Sequence, residues 1–447
     1  MKSLKNLSIN QKILNGILCL IPISYILGNL AINLNFAILI IFSLLAYSKK
    51  IFLLKLNKPK IFLLLFFSLI IYSTLIDIFF GSPENKNLIK CLIYLRFLLL
   101  IFVISYLIKE QEIKLKYFFL SCLICSTFVS IDIIYQFIFK IDFFGFKYSG
   151  YHYSGLFGKE LIAGSYIQKF LMVGVFAIPL YLGNKNKINF LFILALTAGF
   201  CGILLSGNRM PLIIFIGFLL ISALFVRKFK YELIFTLIIA IPIYFLIINS
   251  DKVIKEYHQS FFQNVKSIIP KISLELPREY PELKNNVGKK IGRKGMKNYE
   301  VIQFGAGHAV IYITAIDTWL DAPILGSGIK SFRLKCNNKT HLPNRVCESH
   351  PHNYYLGILN SAGALGLFLI LCALYFLLKK RFYINRELPG WENYIVFNCL
   401  FTNILMEFFP FRSAGSFFST SNSSYIFLLI GLMVGYSYIN SNNKISS

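Results

Sequence analysis

Apolar runs long enough to cross a membrane recur along the whole chain. Each has about the length needed to span the ~30 Å hydrocarbon core of a bilayer, and each ends in charged or turn-forming residues. This pattern predicts an all-α, polytopic membrane protein with about twelve transmembrane helices and one long extracytoplasmic loop. The predicted spans are 12–28, 31–47, 60–80, 89–108, 115–139, 165–183, 188–206, 211–227, 232–249, 354–378, 392–409 and 423–440.

The distribution of Lys and Arg among the short loops predicts the orientation of these spans. The loops that follow every second span are rich in basic residues, whereas loops 81–88 and 410–422 carry little positive charge. Because basic short loops favour the cytoplasmic side, we expect both termini to be cytoplasmic. The chain then divides into nine spans (1–249), a long periplasmic loop with short helices (250–353), and three spans with a cytoplasmic C-terminus (354–447).

The composition excludes an ordinary soluble domain. Of 447 residues, 56% are hydrophobic and only 15% are charged, whereas soluble domains have about 25% charged residues. The net charge of +26 would suggest a nucleic-acid partner in a soluble protein. Here most Lys and Arg lie between spans and report orientation, so we predict no nucleic-acid partner. The long loop is itself basic, which indicates either an anionic partner such as a lipid headgroup or an ordinary solvated surface.

Two charged residues within predicted spans are candidates for an intramembrane ion pair. Arg96 and Asp132 lie at similar depths from the outer ends of the fourth and fifth spans. Charges buried in a membrane are costly and are usually paired or functional. We therefore expect Arg96 to pair with Asp132, or to face a polar cavity.

Cysteine and histidine residues near the end of the long loop have alternative interpretations. On an oxidising side of the membrane, Cys336 and Cys347 could close a small disulfide-bonded ring, and the alternative is two free thiols. His350 and His352 beside Cys347 are reminiscent of a metal cluster. The proline between the histidines restricts the backbone, and Glu348 is the only carboxylate well placed, so we predict no metal site.

Four stretches between residues 200 and 375 carry a resemblance when they are taken together. In chain order they are 206–211 (SGNRMP); 307–312 (GHAVIY) with 317–319 (DTW) and 323–328 (PILGSG); 332–333 (FR); and 349–356 (SHPHNYYL) with 363–367 (GALGL). With twelve spans and a long loop before the third-last span, the sequence resembles the O-antigen ligase and O-antigen polymerase family of bacterial envelope glycosyltransferases.

The resemblance implies an inverting, metal-independent glycosyltransferase of the bacterial inner membrane that needs no cofactor. Its partners would be the bilayer, a glycan donor on an undecaprenyl-pyrophosphate carrier, and an acceptor hydroxyl on lipid A core or on another glycan. A lipopolysaccharide (O-antigen) ligase is the favoured interpretation. The alternatives are a polymerase of the same family and, from a different class, a transporter or lipid flippase, since many spans with buried charges fit transport too.

The resemblance also implies roles for residues at matching positions. A reaction that replaces a pyrophosphate leaving group with a hydroxyl needs cations for the diphosphate and a base for the proton. Arg209 matches the arginine that faces the pyrophosphate, although an arginine snorkelling to the interface is the alternative. His352 matches the histidine that orients or deprotonates the acceptor, and Asn353 after it could fix the imidazole ring by a hydrogen bond.

His308 marks a departure from the family pattern. It stands where many members have a second phosphate-binding arginine. A protonated histidine could still bind the diphosphate, and Lys330, Arg333 or Arg345 could supply the missing charge. We therefore predict a pyrophosphate site formed by Arg209, His308, Lys330 and Arg333.

Overall fold

The computed structural model describes residues 7–80, 85–148, 150, 152–183, 187–252, 254–256, 259, 307–339, 345–379, 391–413 and 415–439. Within these ranges the fold is helical apart from one isolated bridge between Ile141 and Lys147. The α-helices are α1 (Ile9–Cys19), α2 (Ile21–Leu27), α3 (Asn29–Tyr47), α4 (Lys58–Phe80), α5 (Asn85–Tyr94), α6 (Arg96–Lys109), α7 (Leu115–Phe139), α8 (Ala163–Gly174), α9 (Ala177–Leu182), α10 (Lys187–Leu205), α11 (Arg209–Phe225), α12 (Lys230–Ser250), α13 (Gly307–Trp319), α14 (Phe332–Lys335), α15 (Tyr354–Leu378), α16 (Trp391–Glu407) and α17 (Thr420–Ile439). Short 3-10 helices lie at Ser48–Ile51, Gly155–Phe157, Arg227–Phe229 and Cys336–Asn338.

Eight helical segments in the described ranges are long and apolar enough to cross a membrane, as expected of a multi-pass membrane protein. They are Ile9–Leu27, Asn29–Ile51, Lys58–Phe80, Asn87–Lys109, Leu115–Phe139, Ala163–Leu182, Arg227–Ser250 and Tyr354–Leu378. Helices also coincide with the other four predicted spans. Of these, α10 and α11 are apolar but shorter, and α16 and α17 are not among the eight. The all-helical prediction is confirmed, and length and apolarity support eight spans.

The helices pack into a bundle around one large hydrophobic core. In this bundle α17 lies along α6, α15 lies along α4, and α7 contacts both α8 and α10. Small residues allow some of these close approaches. A side chain at Gly435 would lie 2.5 Å from Cβ of Ile108, and one at Gly174 would lie 2.4 Å from the backbone of Leu123.

Helix α15 is interrupted at Gly363, where the backbone has φ +64° and ψ −170°. An interruption leaves amides and carbonyls without helical partners, and such groups are costly inside a membrane protein. Loop 323–328 supplies the missing partners. The hydrogen bonds run from Ser327 N to Asn360 O (2.9 Å), Gly328 N to Ser361 O (3.0 Å), Ala364 N to Pro323 O (2.8 Å) and Leu365 N to Ile324 O (3.1 Å).

The same loop is fastened to α4. The Ser73 hydroxyl donates to the carbonyl of Leu325 (2.5 Å), and the amide of Ile329 donates to the Thr74 hydroxyl (3.2 Å). Gly363 lies nine residues after the start of α15, which corresponds to roughly 13 Å along the helix. The C-terminal part of the predicted long loop is therefore wedged between two spans at that depth.

Candidate functional site

One end of the bundle collects most of the predicted site residues, and we call it the site end. Arg209 begins α11 there, and Tyr354 begins α15. Tyr354 donates to Glu407 at the end of α16 (2.9 Å). Helix α16 packs against α11 in the opposite direction, because Tyr394 near its start donates to the carbonyl of Phe225 at the end of α11 (2.9 Å). The starts of α11 and α15 are thus at the same end.

Asn353 is the N-cap of α15. Its side-chain oxygen accepts hydrogen bonds from two amides of the first helical turn (2.9 and 3.2 Å), and its Nδ2 donates to the carbonyls of Pro410 and Arg412 (3.1 and 3.2 Å). In the described part of the chain it has no hydrogen bond to His352. The predicted Asn353–His352 hydrogen bond is therefore wrong. The amides in the first turn of a helix need an acceptor, and they use the Asn353 side-chain oxygen that the imidazole ring would have used.

His352 precedes this cap and faces a carboxylate. Its Nε2 lies 2.5 Å from Oε2 of Glu348, and its ring centroid lies 4.2 Å from that of His350. The backbone of His352 has φ +55°, which is uncommon for a residue other than glycine. Strained backbone of this kind concentrates at functional sites, and a carboxylate beside an imidazole orients a histidine for proton transfer.

His350 stays neutral near pH 7. Burial lowers its pKa most, the charges of His352 and Lys330 lower it further, and Glu348 opposes them; the result is a pKa of about 4. Its Nδ1 lies 2.8 Å from the Ser349 hydroxyl. His350 therefore adds no positive charge to the site at neutral pH.

The loop that carries Glu348 is cross-linked to the rest of the fold. Cys347 is bonded to Cys336, with the two Cα atoms 5.7 Å apart. Cys336 is fully buried in a small hydrophobic cluster formed by α13 and α14. An oxidised Cys347 cannot serve as a thiolate ligand beside His350. Among the described residues, no three His, Cys, Asp or Glu side chains are grouped as metal ligands.

Three cations lie near one another at the site end, and we call them the open cluster: Lys90, Arg96 and Lys330. Lys330 is exposed and has a left-handed backbone with φ +57°. Partial desolvation lowers its pKa, and the charges of Lys90 and Arg96 lower it further. Within the described ranges, none of the three has a carboxylate at ion-pair distance. Like charges gathered without a counter-ion attract an anionic ligand.

Arg96 and Asp132 do not pair. Arg96 donates to the Thr420 hydroxyl at 3.5 Å. Asp132 instead accepts from the backbone amides of Phe143 and Leu156, each at 2.9 Å, and so fixes the loop after α7. The expected intramembrane pair is therefore wrong. Equal depth in two spans does not specify which faces of the two helices meet.

A tight turn places Arg209 at the first position of α11. Asn208 accepts from the amide of Gly164 at the start of α8 (3.1 Å). Gly207 has φ +68°, and a side chain there would lie 2.0 Å from Nδ1 of His152. The SGNR sequence thus needs glycine for both backbone conformation and space. Burial and the charge of Arg209 lower the pKa of His152, so the imidazole and guanidinium are neighbours.

The structure defines the other two pyrophosphate candidates less completely. Arg333 on α14 is exposed and has no ion pair among the described residues, whereas Lys335 in the same helix pairs with Asp77 of α4 (2.6 Å). The backbone of His308 lies in the first turn of α13. Its side chain lies outside the described residues, so its role stays a prediction.

Sequence reasoning missed a buried ion pair at the site end. Arg412 lies 2.8 Å from Glu407, and their side chains are 3% and 1% exposed. The guanidinium also lies 5.1 Å from the ring of Tyr354. Nearby, Lys169 donates to Asn422 (2.6 Å). In the sequence, the one sign of this pair was that Glu407 and Arg412 lie five residues apart, on either side of the predicted end of a span.

A comparison with known protein families finds a match, and it covers most of the predicted site residues. Residues 190–371 match a family model described as O-antigen ligase. The matched range includes Arg209, α13, the open-cluster residue Lys330, and His352 with its cap. The match confirms, over this range, the resemblance to the O-antigen ligase family that the motifs carry. No curated protein matches the chain.

Proposed function

We propose that this protein is an O-antigen ligase that transfers a glycan from an undecaprenyl-pyrophosphate carrier to an acceptor hydroxyl on lipid A core. In the proposed topology both termini are cytoplasmic and the site end faces the periplasm, with the protein in the bacterial inner membrane. The observation that carries the proposal is the His352–Glu348 contact at the same bundle end as Arg209 and the open cluster.

The proposed reaction is a single displacement. The acceptor oxygen attacks the anomeric carbon of the donor sugar, the bond from that carbon to the pyrophosphate oxygen breaks, and the hydroxyl proton passes to His352. The carrier leaves as its diphosphate, and attack from the opposite face inverts the anomeric configuration. A general base of this kind contributes about 10²–10⁴-fold to the rate.

Cations would stabilise the charge that grows on the leaving diphosphate. The guanidinium of Arg209 can bind two phosphate oxygens at once, and a position at the first turn of α11 adds the favourable end of the helix dipole. Lys330 and Arg96 lack carboxylate partners in the described ranges and are available for the anion. Arg333 and His308 remain further candidates for this role.

The test is transfer by the purified protein of a polyprenyl-pyrophosphate glycan to lipid A core, with a metal chelator present. We expect transfer by the wild type, and its loss in Arg209→Ala and in His352→Ala. Arg227→Ala at the opposite end of α11 is the matched control and should transfer normally. Transfer that survives both site substitutions, or that the chelator abolishes, would overturn the proposal.

The choice of acceptor separates the alternatives. Transfer only to a second glycan unit would identify a polymerase of the same family. If no acceptor is used and vesicles containing the protein instead move the lipid-linked glycan across the bilayer, the protein is a transporter or flippase. In that case substitution of Arg96 should impair movement, while Arg209 and His352 should be dispensable.

A further inference from the structure

We infer that Glu348 is a positioning residue for His352, and that the Cys336–Cys347 disulfide holds Glu348 in place. The inference rests on the proposed role of His352 as the base. It adds a carboxylate to the residues that act in the reaction, and it assigns the cross-linked loop a function in the reaction in addition to stability.

The contact between the two side chains fixes the protonation of the imidazole. An ionised carboxylate only accepts hydrogen bonds, so the proton of the contact lies on Nε2 of His352, 2.5 Å from Oε2 of Glu348. A neutral imidazole that carries its proton on Nε2 has its lone pair on Nδ1. When Nδ1 takes the acceptor proton, the carboxylate stabilises the resulting imidazolium and does not itself become protonated.

No second imidazolium competes for this carboxylate at neutral pH. The ring of His350 lies beside that of His352, with centroids 4.2 Å apart and planes tilted by 36°, but burial and nearby charges lower the His350 pKa to about 4. The other charge that acts on His350 is Lys330 of the open cluster. Glu348 is 44% exposed and His352 is 21% exposed, so the contact lies at the mouth of the bundle.

The backbone of Glu348 is fixed from outside its own loop. The preceding residue, Cys347, is bonded to Cys336, which is 0% exposed in the cluster formed by α13 and α14. Two lysines that form ion pairs flank Cys336. Lys335 pairs with Asp77 of α4 (2.6 Å), and Lys339 pairs with acidic residues at the end of α13 (2.6 and 3.2 Å).

His352 is fixed independently of Glu348. It directly precedes Asn353, which caps α15 and donates to two carbonyls beyond the end of α16. The two partners are therefore held by different parts of the scaffold, and the disulfide next to Glu348 tethers its side of the contact. Substituting the outer partner of a metal-ligating histidine typically costs about 10–100-fold in metal affinity or activity, and we expect a loss of the same order for the partner of His352.

The first test is Glu348→Gln, which keeps the size of the side chain and removes its charge. We expect kcat to fall by about 10–100-fold with the donor and acceptor KM unchanged, and Glu348→Asp to recover part of the loss. Glu110→Gln, a carboxylate of similar exposure (40%) paired with Lys109 at the opposite end, should behave as wild type. A raised KM with unchanged kcat would assign Glu348 to substrate binding and overturn the inference.

The second test is a double-mutant cycle between the carboxylate and the disulfide. Cys336→Ser with Cys347→Ser should lower kcat in the wild type but add little in the Glu348→Gln background. Equal losses in both backgrounds would show that the disulfide does not act through Glu348. Where the serine variant folds poorly, reduction of the folded wild type and of Glu348→Gln gives the same comparison, with melting temperatures recorded alongside.

The outcomes distinguish this inference from the proposed function. If His352→Ala retains transfer, the proposed base is wrong and the inference falls with it. If His352→Ala abolishes transfer while Glu348→Gln keeps the wild-type kcat, only the positioning role is overturned.

Discussion

Two groups of charges at the site end differ in how they are neutralised. The first, which we call the closed cluster, consists of Glu407, Arg412 and Tyr354, with every member buried and hydrogen-bonded. The second is the open cluster, in which like charges lie together and, among the described residues, Lys90 and Arg96 donate to the neutral side chains of Asn87 and Thr420. A pair that is complete in the protein holds helices together, whereas a set of uncompensated cations is suited to a ligand.

The difference separates stability from binding. Removing a member of the closed cluster leaves a buried charge without its counter-ion, which destabilises the fold. Removing a member of the open cluster relieves repulsion between neighbours and should lower affinity for the anionic donor. Substitutions in the closed cluster should therefore lower the melting temperature, whereas substitutions in the open cluster should raise the KM for the donor without lowering the melting temperature.

The largest expected effect is that of Arg412→Ala. It leaves Glu407 buried and unpaired, so we expect a loss of about 3–5 kcal/mol in stability, seen as a low yield of folded protein or a markedly lower melting temperature in detergent. Arg412→Lys keeps the charge and should recover part of the loss. If Arg412→Ala is as stable as the wild type but transfers no glycan, Arg412 acts in the reaction and not in stabilising the fold.

A smaller effect is expected for Arg96→Gln and Lys330→Gln. Each removes a charge available to the diphosphate, and we expect the donor KM to rise about tenfold while the melting temperature stays the same or rises slightly. Lys228→Gln, an exposed lysine at the opposite end, is the matched control. A lower melting temperature without a change in KM would mean that the open cluster is structural.

His350 lies near Lys330 of the open cluster and should make stability depend on pH. Its folded-state pKa of about 4 is below the ordinary value of 6.5, so between these values the unfolded chain binds more protons and stability falls as pH falls. Between pH 6.5 and 4, we expect the melting temperature of His350→Asn to fall less than that of the wild type. Because Lys330 contributes to the shift, Lys330→Gln should weaken the same drop; identical pH profiles in all three proteins would contradict this.

The smallest effect is expected for Arg333→Ala. Its side chain is exposed and has no ion pair among the described residues, and such surface substitutions usually change stability by less than about 0.5 kcal/mol. A donor KM that rises as much as in Lys330→Gln would place Arg333 beside the open cluster. An unchanged KM would remove it from the pyrophosphate site.

Features encoded by local patterns were predictable from the sequence. Apolar runs identify the spans, because span length follows from bilayer thickness. Cys336 and Cys347 were the two cysteines outside apolar segments, and they are bonded in the structure. The motifs around Arg209 and His352 carried the family resemblance that the match over 190–371 supports.

Features that depend on which helix faces meet were not predictable in this way. Asp132 finds its partners in the adjoining loop, whereas depth alone suggested a neighbouring span. Asn353 caps a helix because the first turn needs its oxygen, and that demand competes with the ring of His352. Glu348 lies four residues before His352, but only the folded loop brings the two side chains together.

The wedge formed by loop 323–328 has a consequence for the order in which the protein is made. The hydrogen bond from Ser73 to Leu325 joins residues 252 positions apart, and chains are synthesised at about 5–20 residues per second. The C-terminal half of α4 is therefore made roughly 10–50 s before the segment that completes it. During that interval Ser73 and Thr74 lack the hydrogen-bond partners that this segment later supplies.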